Sequence, residues 1–140
     1  AIGEETEETD LLTYVENIRN LLNQVKVKYA EGDKDAALSL ATKAYLDNFE
    51  FLESTLKEAG QDELTQEMET MMRVELRDMI SNDASPSEVN SKVDIILENM
   101  EIVKIAVPEF GAVVIVTLTV AIIGIVIITN KIRLNPIPQL

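Results

Sequence analysis

The chain has 140 residues and contains no cysteine, histidine or tryptophan. Disulfides and thiolate metal sites are excluded, and the usual general base, the commonest transition-metal ligand and the usual pH switch are missing. With 25 acidic against 12 basic residues the net charge is −13, which repels nucleic acid and anionic headgroups and attracts cations or basic protein surfaces.

The chain begins at Ala1 rather than Met, as it would after removal of a signal peptide. Residues 1–10 include GEETEETD, a charged stretch without apolar anchors that reads as a solvated arm. Leu11, Val15, Ile18, Leu22, Val25 and Tyr29 then recur at three- and four-residue steps, the period of an amphipathic helix. Thr9 or Asp10 is placed to cap it, and Gly32 suits the left-handed position that ends it. A second helix follows Asp33, with Ala37 or Leu38, Ala41, Tyr45, Phe49 or Asn48, Leu52 and Leu56 inward, and Gly60 closing it. Asp62 is a candidate N-cap for a third helix, whose buried stripe is Leu64, Met68, Met71 or Met72, Leu76, and Met79 or Ile80; Asn82-Asp83 begins a turn. Ser85-Pro86-Ser87-Glu88 is a capping box with proline at the first helical position, followed by Val89, Val93, Ile96 or Leu97, Met100 and Val103. The expected fold class is all-α: an antiparallel four-helix bundle over residues 11–106, then a single C-terminal transmembrane helix.

The span is predicted over residues 107–130. Phe110–Thr129 carries no charge, and a helix of that length crosses a bilayer core of roughly 30 Å. Lys131 and Arg133 follow it, whereas all 25 acidic residues lie at or before Glu109. The positive-inside rule then puts the 131–140 tail in the cytoplasm and the acidic head outside. Thr117, Ala121 and Gly124 form a small-residue strip along the span, either a groove for a partner helix or chance in a run of small residues.

The chemistry-bearing residues are carboxylates and methionines. Glu50, Glu53 and Glu69 are the candidates for a cation site across helices two and three. The same region supports a second reading, in which Glu50 and Glu69 form structural ion pairs with Arg73 and Arg77. Di-iron bundles combine glutamates with Glu-x-x-His motifs, and histidine is absent. Met68, Met71, Met72, Met79 and Met100 could offer soft ligands to Cu(I), but their spacing follows the core stripe. No glycine-rich phosphate loop is present. This inventory predicts neither a cofactor nor catalysis by the chain alone.

Val107-Pro108-Glu109-Phe110-Gly111, the apolar run and Lys131-Ile132-Arg133-Leu134 together resemble the PEFG-CTERM signal of ammonia-oxidising archaea. The resemblance implies an archaeal surface or membrane protein. The stretch from Ala44 to Glu53, with Glu69, Arg73 and Arg77, is similar to the helical extracytoplasmic module found beside iron-transport permeases. The expected function is a non-catalytic accessory subunit of a membrane complex, such as the copper-dependent ammonia monooxygenase of those archaea. Its expected partners are the membrane and other transmembrane subunits. The alternatives are a surface-anchored module binding metal ions or cell envelope, and a partner module of an iron permease.

Overall fold

A computed structural model describes residues 2–107, with side chains from Leu11 onward. These residues are all helical: α1 (Ile2–Ala30), α2 (Lys34–Leu46), a 3-10 turn (Phe49–Leu52), α3 (Glu53–Glu58), α4 (Asp62–Glu69), a π-helical segment (Thr70–Glu75), α5 (Leu76–Ser81) and α6 (Pro86–Ala106). Helix two is thus α2 with α3 across an elbow, and helix three is α4 with α5 across the π segment. The helical unit ends at Pro108. Beyond it, the expected span and tail, with Thr117, Ala121 and Gly124, lie outside the described residues. Among the described residues no helix is long and apolar enough to cross a membrane.

The three connections between the four helices share one solution. Each of the first three helices ends in a paired-bond Schellman turn, with a left-handed residue supplying one of the two N–H groups that close the orphan carbonyls. Gly32 (φ 86°) donates to the Tyr29 carbonyl at 3.0 Å, and Asp33 donates to that of Lys28 at 2.9 Å. Gly60 (φ 78°) and Gln61 repeat the pattern on Lys57 and Leu56. The third turn uses Asp83 (φ 58°), donating to Ile80, with Ala84 donating to Met79. Asp tolerates this region better than most residues, and Lys34 pairs with its carboxylate at 2.9 Å. The Tyr29 hydroxyl donates to the Ala84 carbonyl, tying the end of α1 to the same turn.

The helix starts follow the sequence in part. The Asp33 carboxylate accepts from the Ala36 N–H at 3.1 Å, and the Ser85–Glu88 capping box is closed in both directions. Asp62 is the first residue of α4 rather than its cap; Gln61 holds the cap position without a side-chain bond. An acid there acts on the positive end of the helix dipole instead. The first helix begins at Ile2, not near Leu11, so neither Thr9 nor Asp10 caps it. Glutamate is a good helix former, and acids favour the N-terminal turns, so GEETEETD extends the helix at little cost.

Ion pairs fix the direction of packing. Glu16, Arg19 and Lys26 of α1 meet Lys104, Glu101 and Asp94 of α6 in turn. One index rises while the other falls, as in antiparallel neighbours. Tyr14 stacks on Phe51 with centroids 5.2 Å apart, and Asn17 donates to Asn48 at 3.2 Å, giving α1 the same relation to helix two. Helix two packs on helix three, and helix three on α6, closing a four-membered ring. The core is the apolar stripe of each helix. Val15, Ile18, Leu22, Val25, Phe49, Leu52, Leu56, Leu76, Ile80, Val93, Ile96 and Val103 are fully buried. Met68, Met72 and Met100 are fully buried among them, as core filler rather than as a thioether cluster facing solvent.

Two irregularities shape the bundle. At the elbow, Asn48 is 4% exposed and turns its amide onto its own chain, donating to the Lys43 carbonyl at 3.1 Å. Such a bond competes with helix continuation, and the chain resumes as the 3-10 turn. In helix three the π segment inserts a wide turn that buries both Met71 and Met72.

Candidate functional site

The elbow of helix two places polar groups against the middle of helix three. The Tyr45 ring is buried, stacked at 6.2 Å on Phe49, and its hydroxyl donates to Glu53 Oε1 at 2.9 Å. Glu69 and Arg73 face this pair electrostatically from helix three, and Arg73 Nη1 donates to Glu69 Oε1 at 3.0 Å. Burial pushes the Tyr45 hydroxyl well above its ordinary pKa; the hydrogen bond to Glu53 and the charges of Glu53 and Glu69 push the same way, against Arg73. A phenol held this firmly in its neutral form is a hydrogen-bond donor, not an acid or base for chemistry near neutrality.

The candidate residues therefore take different places. Glu53 and Glu69 are brought to one cluster, each already engaged by a donor. The Arg73–Glu69 pair lies within helix three and does not cross to helix two. Glu50 is exposed on the 3-10 turn with no ion-pair partner among the described residues. Arg77 lies farther along helix three, in an open groove of about 480 Å³ with Leu38, Thr42 and Asp47 of helix two and its elbow. Its buried Nε finds no acceptor among the described residues. No group of three or more acidic side chains is arranged to hold a metal ion among the described residues. Tyr45 and Asn48 are the polar residues the sequence pattern did not single out as functional. Their burial inside an apolar stripe was the available signal.

The Tyr45–Glu53 bond predicts a stability effect with a definite pH sign. The folded-state pKa of Tyr45 is raised, so the contribution is complete below the unfolded phenol value near 10 and is lost as pH rises beyond it. Tyr45→Phe should lower stability by about 1 kcal/mol at pH 7 by leaving Glu53 without its donor, and should flatten the decline above pH 10. Urea titrations of both proteins at pH 7 and pH 10.5 check this; parallel alkaline losses would contradict it.

The described residues define an all-α, four-helix head whose polar cluster is bonded within helix two and within helix three. Comparison with protein-family models, curated proteins and solved structures finds no match.

Proposed function

We propose that the chain is a non-catalytic, membrane-anchored accessory subunit of a membrane protein complex. Its acidic helical head stands outside the cell and its basic tail inside. The particular complex we infer is the copper-dependent ammonia monooxygenase of ammonia-oxidising archaea, on the resemblance of Val107–Gly111 and Lys131–Leu134 to the PEFG-CTERM signal.

The observation that carries the reading is the uncharged run Phe110–Thr129, bounded by Glu109 and by Lys131 and Arg133. It starts only a few residues beyond the last turn of α6, which leaves a short connection between head and membrane. The head supports the reading in two ways. Its helices are joined by closed turns of a few residues rather than by long loops that could form a lid or a substrate pocket. Its polar cluster consumes its own donors and acceptors. Thr117, Ala121 and Gly124 are the positions proposed to meet a neighbouring span.

Native membranes solubilised in a mild detergent and resolved by size are expected to carry the chain in an assembly far larger than 15.6 kDa, together with other membrane subunits. Migration as a free monomer would overturn the proposal.

A further inference from the structure

The face between helix three and α6 carries a groove beside exposed apolar residues. Ile95 of α6 is 45% exposed, and Ile102, about two turns farther on, is 47% exposed. Ile95 borders an open groove of about 510 Å³ whose opposite wall is α4 and the π segment. Met71, turned inward by the π segment, lies at its base. The Lys92–Glu75 ion pair, at 2.8 Å, closes one end. Ile95 and Ile102 stand exposed along one face of α6, and π turns are frequent at functional positions.

The rim has one sign. Glu63 and Glu67 line the groove from α4, and Glu98 stands exposed beside Ile95 and Ile102 on α6; none has an ion-pair partner among the described residues. Glu63 and Glu67 are four residues apart on one helix, an arrangement that repels within the helix itself. Lys92, the cation in the groove, is already committed to Glu75. We infer that this groove docks a basic amphipathic helix of a protein partner. Apolar side chains of that helix would rest on Ile95 and Ile102, and its Lys or Arg residues would answer Glu63, Glu67 and Glu98. The groove follows α4 and the π segment from Glu63 to Glu75, roughly 18 Å, the length of about three helical turns. A second copy of this chain is a poor occupant, because the head carries 24 of the 25 acidic residues and repels itself. The inference rests on the accessory-subunit reading and names the surface through which the head would meet its neighbour.

The test uses the full chain in a non-ionic detergent and a fluorescent amphipathic Leu/Lys helical peptide as probe, followed by anisotropy. The pair Glu63→Gln and Glu67→Gln should weaken binding about tenfold and reduce its salt dependence, since rim charges act mainly through complementarity. Ile95→Ser should weaken it to a similar degree without changing the salt dependence. Glu50→Gln with Glu58→Gln removes the same charge elsewhere and should leave binding intact. Melting curves of the rim variant should change little, because the lost interaction of Glu63 with the N-terminal end of α4 offsets the relieved repulsion. If the elsewhere-neutralised protein loses as much affinity, or the wild type binds no tighter than the rim variant, the groove is not a docking site. That failure is separate from failure of the subunit reading. A wild-type chain that stays in its native assembly while the peptide ignores the rim overturns the groove alone.

Discussion

Phe49→Ala is expected to remove about 3–5 kcal/mol of stability from the helical head, most or all of what a domain of this size holds. Phe49 is among the largest fully buried side chains and stands where the elbow of helix two enters the core. Its ring lies against Tyr45, so truncation opens a cavity and also loosens the ring whose hydroxyl holds Glu53. Packed interiors relax only partly around such a loss. Phe51, two residues on, is 55% exposed and stacks on Tyr14 at the surface. Phe51→Ala should cost no more than about 1 kcal/mol. Urea unfolding of both variants, followed by circular dichroism, separates the two positions. Equal shifts in the midpoint would mean that helix two does not enter the core through Phe49.

Periodicity places Phe49 or Asn48 inward, and the structure buries both. The same holds for most of the core. Val15, Ile18, Leu22 and Val25 on α1, and Val89, Val93, Met100 and Val103 on α6, fall on stripes whose period is that of a helix. Gly32, Gly60 and the Ser85 box announced their turns because each residue type answers a specific backbone need. What periodicity could not reveal were the departures from a regular helix. The break at Asn48 combines a local bond to the Lys43 carbonyl with one from Asn17, thirty-one residues earlier in the chain, and the second partner cannot be read from helix two alone. The π segment was hidden because Met71 and Met72 are both apolar, so either could fill the inward position and the pattern does not demand both.

The cluster at Tyr45 was hidden for a related reason. Tyr45 and Glu53 are eight residues apart, about 12 Å along a straight helix; the elbow is what brings them to bonding distance. Arg73 and Glu69 are four residues apart on one helix, and that spacing favours their mutual pairing over pairing with helix two. Without histidine or cysteine the polar side chains are carboxylates, amides, hydroxyls and cations, and in the head several of them join α1 to α6 and to helix two.

The proposed membrane anchoring is the other reading with a large expected response, and it should respond to charge in steps. Each Leu, Ile, Phe or Val at the centre of a span favours insertion by about 0.3–0.6 kcal/mol, whereas a central Arg opposes it by about 2.5–3.5 kcal/mol. Phe110–Thr129 is dominated by those four residues, so its net preference for lipid is several kcal/mol. A single Val120→Arg should therefore weaken membrane retention without abolishing it. The pair Val116→Arg and Ile123→Arg should reverse the balance, because neither position lies near enough to an end of the run for its side chain to reach the interface easily. Membranes washed in alkaline carbonate are expected to keep the wild-type chain, to keep part of the single variant and to release the double variant. The melting temperature of the head should be the same in all three, since the helical unit ends at Pro108. A wild-type chain released by the same wash would refute the anchor. Protease added to whole cells tests the direction of insertion in the same preparation: the acidic head should be cut away while the segment carrying Lys131 and Arg133 stays protected. The groove bounded by Glu63, Glu67 and Ile95 would then face the side on which a partner's basic helix must also lie.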